Sequence, residues 1–170
     1  MSRGIQKTLP TLGKMEPRKS RQNGLPPAAR REDREFTEQC NLFMFLRTYE
    51  HVHPVFGLIG ASGNGIFKTP PQAARAKMAG MRRGDWDIMV PAVRQFGPLT
   101  SGALFVEMKA GRGKLTPEQE ATRAALQGQY TFVVARDWIE AARAIVGYLG
   151  IKDPRLDDYL KVNTKGLPTG

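Results

Sequence analysis

The amino-acid sequence predicts an α/β domain, a small mixed sheet flanked by helices. Three observations carry that expectation. Short apolar runs alternate with longer stretches whose apolar residues recur at helical spacing, so strands and amphipathic helices are interleaved along the chain. The 170 residues are enough to cover a sheet on its faces, since a chain of this length buries roughly two-thirds of the surface its unfolded form exposes. No apolar run approaches the length that spans a bilayer, which excludes a transmembrane helix and points to a soluble, cytoplasmic protein.

In chain order, Met1 to Arg31 comes first as a basic stretch. Arg3, Lys7, Lys14, Arg18, Lys19, Arg21, Arg30 and Arg31 face only Glu16, and Pro10, Pro17, Pro26 and Pro27 interrupt a segment without apolar period. Such a composition reads as a disordered tail, placed at 1–33. It holds most of the net charge of +10, and a tail of that kind holds nucleic acid through salt-sensitive phosphate contacts or serves only as a solubilising terminus. The ordered domain is expected over 34–151, with 152–170 as a C-terminal extension.

The first helix is expected from near Glu35 to His51. Glu38, Leu42, Phe45 and Tyr49 share one helical stripe, Cys40 lies among its apolar residues and suits a core position, and Pro54 stops it. A glycine-rich loop follows from Gly57 to Gly65, then a helix from Pro71 to Met78. Strands are expected at Trp86 to Pro91 and Ala103 to Lys109, joined by a hairpin loop from Arg94 to Gly102. Thr116-Pro117-Glu118-Gln119 has the pattern of a capped helix start, with Thr at the N-cap, Pro at the first helical position and Gln at the third. That helix runs to Leu126. A strand at Tyr130 to Ala135 and a helix at Asp137 to Leu149 follow, the latter burying Trp138, Ala141, Ala142, Ile145 and Leu149. Beyond Gly150 a short turn or helix completes the chain.

The candidate site comes from a conflict inside one strand. In Leu104-Phe105-Val106-Glu107-Met108-Lys109 the side chains alternate, so Leu104, Val106 and Met108 share one face while Phe105, Glu107 and Lys109 share the other. Burying an ion costs several kcal/mol unless it is compensated, and a divalent metal compensates a buried carboxylate well. Asp87 sits near the start of the neighbouring apolar run and can meet Glu107 and Lys109 at a common point. Hard oxygen ligands of this kind suit Mg²⁺ or Mn²⁺ and leave positions open for water and phosphate. The competing reading of Glu-x-Lys is an exposed edge with a weak surface pair.

Three blocks, Gly80 to Asp87, Leu104 to Lys109 and Gly113 to Gln119, arrive in the order and at the spacing of the VRR-NUC family of PD-(D/E)XK nucleases, and the chain resembles that family from about Glu35 to Leu149. The resemblance implies a restriction-endonuclease-like core in which two catalytic strands form a hairpin. It makes Asp87 the motif aspartate and Glu107 with Lys109 the E-x-K pair. It also places Gln119 on a family glutamine, Glu38 on an acid of the first helix, Lys77 on a lysine before a glycine-bounded turn, and Asn64 near the DNA path. The family usually has proline before the aspartate. Here Trp86 stands there, preceded by a second acid, Asp85. Glu38 and Gln119 also have readings that need no family, as an acid favoured near a helix start and as half of a capping box.

Two other motifs lead elsewhere and are set aside. Gly60 to Thr69 looks like a phosphate-binding loop, but two residues separate its last glycine from Lys68, which argues against ATP. His51 and His53 with Cys40 are too few for a closed zinc site. The sequence therefore points to a DNA endonuclease dependent on Mg²⁺ or Mn²⁺, in which Asp87, Glu107 and the Met108 carbonyl bind metal and Lys109 positions the attacking water. The resemblance adds branched DNA such as a four-way junction as substrate, a homodimer, and a bacterial or phage-infected cell as setting. The alternatives are a non-catalytic basic DNA-binding or packaging protein and a restriction-type endonuclease of the same fold.

Overall fold

A computed structural model describes residues 27–62, 69–79 and 85–164. The described residues begin with α1 (Pro27–Tyr49), followed by a 3-10 turn at Pro54–Leu58, β1 (Gly60–Ala61) and α2 (Pro70–Met78). Then come β2 (Ile88–Val90), β3 (Arg94–Phe96), β4 (Leu99–Ser101) and β5 (Leu104–Met108). The remainder is α3 (Pro117–Leu126), β6 (Thr131–Ala135), α4 (Trp138–Leu149) and α5 (Pro154–Thr164).

The main sheet has four strands in the order β1-β2-β5-β6. β2 runs antiparallel to β5 with Ile88 opposite Val106, and β5 runs parallel to β6 with Phe105 opposite Phe132. A parallel neighbour needs a crossover, and α3 supplies it between β5 and β6. The starts of the helices on either side of β6 are set by sequence. Thr116 caps α3 by accepting from the Gln119 N–H while the Gln119 side chain accepts from the Thr116 N–H. Asp137 caps α4 through the N–H groups of Ile139 and Glu140, and α4 ends on Gly150 in the left-handed region at φ 66°.

One face of the sheet is the core. Leu104, Val106 and Met108 of β5, with Ile88 and Val90 of β2, are fully buried against Leu42, Phe45 and Leu46 of α1 and Ala141, Ala142 and Ile145 of α4. Phe45 is the hub of this layer: its ring meets Tyr49, Phe56, Trp138 and Tyr159. It thereby joins α1, the 3-10 turn, α4 and α5.

Several boundaries differ from the sequence expectation, each for a physical reason. α1 begins at Pro27 and not near Glu35, because Pro at the first position followed by Ala28, Ala29, Arg30 and Arg31 is a favourable helix start that an apolar-stripe reading overlooks. Residues 27–33, assigned to the disordered tail, are therefore helical. α1 stops at Tyr49, two residues before His51. Cys40 is only partly buried. The first part of the glycine-rich loop forms the 3-10 turn and β1, which extends the sheet by pairing Gly60 with Met89.

The expected loop from Arg94 to Gly102 is a second, two-stranded sheet. Phe96 pairs with Leu99 around Gly97-Pro98, and Gly97 has φ 59°. Glycine with positive φ at the first central position is a signal for a two-residue hairpin that looks like plain loop punctuation. The Tyr148 hydroxyl tethers this hairpin to α4 by donating to the Ala92 carbonyl at 2.6 Å. The C-terminal extension is also more than an appendage: α5 places Leu156 and Leu160 in the common core.

Asp153 fastens α5. Its carboxylate accepts from the Arg155 backbone N–H and from the Arg155 guanidinium, and it lies 3.0 Å from His53 Nε2. The Arg155 guanidinium, and less strongly His53, hold the Asp153 carboxyl well below the usual carboxylate range against the opposing effect of burial. A depressed carboxylate pKa contributes stability that is present above the unfolded value near about 4 and is lost as pH falls through the folded value. Asp153→Ala should therefore lower stability at pH 7 by about 1–2 kcal/mol. Urea unfolding at successively lower pH should show the gap to the unsubstituted protein closing only well below pH 4.

Candidate active site

The strand β5 carries the site on the face opposite the core. Continuing the β2–β5 register one step beyond Ile88–Val106 puts Asp87 opposite Glu107. Two hydrogen bonds then lock these residues reciprocally. The Met108 N–H donates to Asp87 Oδ2 at 2.8 Å, and the Asp87 N–H faces Glu107 Oε2 at 3.3 Å. The Asp87 carbonyl accepts from the Ser62 N–H at 2.7 Å, which anchors the same residue to the end of β1. Each carboxylate is thus aimed by the backbone of the other's strand.

Lys109 completes the group. Its Nζ donates to Glu107 Oε1 at 2.5 Å, and Glu107 retains only 2 % exposure. This pair is not the weak surface contact that Glu-x-Lys often makes. A lysine ammonium has three donors, so the bond to Glu107 leaves two for a water molecule or a phosphate oxygen. Stacked Phe105 and Phe132, with ring centroids 5.4 Å apart, lie on the same face, and Trp86 packs on Phe132 at 4.8 Å. These rings keep the local dielectric low, which strengthens the fields of the three charged groups.

The charge balance of this group is not closed. Two largely buried carboxylates face one ammonium. Burial pushes the Asp87 carboxyl up, and the Glu107 charge pushes it further, opposed by the Met108 N–H and Lys109. A divalent cation is the partner that such an excess of buried, hard oxygen charge fits. Among the described residues, no set of three or more His, Cys, Asp or Glu side chains is gathered closely enough to form a metal cage. Two protein carboxylates with remaining positions left to water and substrate is a donor set suited to Mg²⁺ or Mn²⁺.

α1 sends a further acid to this end of the sheet, Glu35, which the sequence pattern did not single out. Glu35 Oε1 accepts from the Ala110 N–H at 2.8 Å, directly after Lys109, and its charge also raises the Asp87 carboxyl. Glu38, one turn on, accepts from the Trp138 N–H at 3.1 Å and so binds the start of α4. Burial raises the Glu38 carboxyl, with the Trp138 N–H opposing. Glu35 is thus the acid of α1 that reaches the end of β5, whereas Glu38 lies at the start of α4. The apolar stripe pointed to Glu38 because it shares a face with Leu42, whereas Glu35 lies where that stripe has ended.

Gln119 sits in the capping box, its Oε1 accepting from Thr116 N–H at 2.9 Å, and no hydrogen bond joins it to Asp87, Glu107 or Lys109. Met108 takes part through its backbone N–H, while its side chain is core. Lys77 lies on α2. Asn64 falls outside the described residues. Asp85 precedes the strand, and the hydrogen bonds to Met108 and across to Glu107 belong to Asp87.

No family model matches the chain, and neither does any curated protein. Among solved structures, the chain is similar to one described as a VRR_NUC domain protein, with 24% sequence identity, a TM-score of 0.43, and coverage of 58% of this chain and 73% of that one. A likeness of that size does not establish membership of a family.

The charge imbalance has a measurable consequence. Asp87→Asn keeps an acceptor for the Met108 N–H and removes one of the two opposed buried charges. In the presence of EDTA at pH 7 it should raise stability by about 1 kcal/mol, the trade expected where function demands a strained charge arrangement. Lys109→Ala should do the reverse, because it leaves Glu107 buried without its ammonium. Chemical denaturation of the two variants side by side checks both signs.

Proposed function

We propose that this chain is a metal-dependent nuclease that hydrolyses phosphodiester bonds in DNA. The observation that carries the reading is the convergence of Asp87, Glu107 and Lys109 on one sheet face, with more buried negative charge than Lys109 can neutralise. Asp87 and Glu107 are the residues that would hold Mg²⁺ or Mn²⁺, with the Met108 carbonyl as a further oxygen donor. When bound, such an ion lowers the pKa of a water molecule and neutralises charge on phosphate oxygens.

The residues of the chain itself supply position and electrostatics. Lys109, fixed by Glu107, offers its remaining donors to the attacking water and to a phosphate oxygen, which orients the water for in-line displacement. Glu107 keeps that ammonium in place. The Asp87–Met108 bond fixes the distance between the two strands where the phosphate would sit. Phe105, Phe132 and Trp86 cover part of the sheet face beside these groups and so limit their contact with bulk water.

DNA is the substrate this reading favours, because the chain is strongly basic overall, with a net charge of +10. A branched substrate and a homodimer remain part of the proposal, supported by the sequence resemblance to VRR-NUC nucleases. The cluster itself is compatible with resolving, flap or nicking activity.

Purified protein incubated with branched and linear DNA should cut in Mg²⁺ or Mn²⁺ and not in EDTA. Asp87→Ala and Lys109→Ala should each lower the cleavage rate on the order of a thousandfold or more, while DNA binding without divalent metal persists. Unchanged cleavage by either variant would exclude this mechanism. DNA bound but never cut in either metal would favour the non-catalytic DNA-binding alternative.

A further inference from the structure

The segment directly after Lys109 is a short basic turn held by hydrogen bonds to two other parts of the fold. Ala110-Gly111-Arg112-Gly113-Lys114 contains no acid, and Arg112 and Lys114 are both exposed. Among the described residues neither has an ion-pair partner. The turn nevertheless is fixed at three points. The Gly113 N–H donates to the Ala110 carbonyl at 3.0 Å, closing it. The Ala110 N–H donates to Glu35 Oε1 of α1 at 2.8 Å. Arg136, between β6 and α4, donates from Nη1 to the Gly113 carbonyl at 2.5 Å.

Its two glycines suit that geometry. Gly111 has φ 55°, a conformation that other side chains rarely adopt. A Cβ on Gly113 would stand 3.2 Å from the Ala110 carbonyl oxygen and 3.4 Å from Lys109 Cβ. The turn is thus closed tightly against the lysine of the site, and it presents Arg112 at its tip and Lys114 just beyond.

From these observations we infer that the turn Ala110–Lys114 is a phosphate-binding element that grips the DNA backbone beside the phosphate held at the site, with Arg112 and Lys114 as the contacting cations. This rests on the nuclease reading above and extends it to the surface that receives the strand. Consecutive Cα atoms are about 3.8 Å apart, so Arg112 is at most about 11 Å along the chain from Lys109. That distance lets its long side chain reach a phosphate next to the scissile one. The physical need is clear: Asp87, Glu107 and Glu35 repel a polyanion, and fixed cations close by offset that repulsion before any ion is added. Arg136 braces the turn and is not itself one of the contacts.

Binding of a short DNA duplex should be measured in EDTA, where nothing is cut, over a series of salt concentrations. Arg112→Ala combined with Lys114→Ala should weaken binding roughly tenfold and flatten the slope of log Kd against log salt by about 2, one unit for each lost phosphate contact. A matched control is Arg47→Ala with Lys152→Ala. Both residues are exposed and lie near the C-terminal ends of α1 and α4, whereas Glu35 and Trp138 near the start of those helices mark the site end. This control should leave the slope and Kd close to those of the unsubstituted protein. Equal effects of the two pairs would show only general charge attraction and would overturn the inference, as would an unchanged slope in the Arg112/Lys114 variant. The outcomes are separable from those for catalysis: a changed slope with no cutting in Mg²⁺ or Mn²⁺ leaves the turn standing and removes the nuclease. Cutting with an unchanged slope does the opposite.

Discussion

Glu107 is a carboxylate placed almost wholly inside a protein on a strand whose neighbours are Val106 and Met108, and the rest of the site follows from that placement. An isolated buried carboxylate costs several kcal/mol, so the sheet surrounds it with whatever offsets the cost. Lys109 follows two residues later on the same face, the Asp87 N–H comes across from the adjacent strand end, and the Met108 N–H is given to Asp87 in return. The arrangement fixes the site before any ligand arrives. It also sets two buried carboxylates against one ammonium, which is the physical reason for expecting a cation.

The scaffold explains why these groups hold still. β5 is paired on both sides, by β2 and β6, and is packed beneath by α1 and α4. A residue on such a strand has little freedom to relax away from an unfavourable charge. α1 contributes at two heights, with Glu35 on the Ala110 N–H and Glu38 on the Trp138 N–H, so one helix ties the end of β5 to the start of α4. At the far end, Phe45, Tyr49 and Tyr159 pack α5 onto the same helix. Among the described residues no helix is long and apolar enough to cross a membrane.

Much of this was legible in the sequence because it depends on local rules. Period-two alternation separated the core face of β5 from its site face, and the Thr116–Gln119 spacing announced a capping box that the structure contains. The order of strand, crossover helix and strand followed from apolar runs and caps. What was not legible depends on tertiary reach. Glu35 and Glu38 lie one turn apart on α1, and no periodicity tells which of them meets the end of β5 and which meets α4. The β3–β4 hairpin was hidden for another reason: Arg94, Gln95 and Thr100 carry no apolar alternation, and only Gly97-Pro98 marked it. The helical start at Pro27 was masked by the charge of a segment whose helix propensity is nonetheless good.

The most direct test of the account is a crystal of the protein soaked in Mn²⁺ and examined by anomalous scattering. A manganese peak in contact with both the Asp87 and Glu107 carboxylates, beside Lys109, is the expected result, and it should vanish in Asp87→Asn crystals. Asp87 and Glu107 pointing away from each other, or manganese bound elsewhere with these two carboxylates bare, would contradict the central claim.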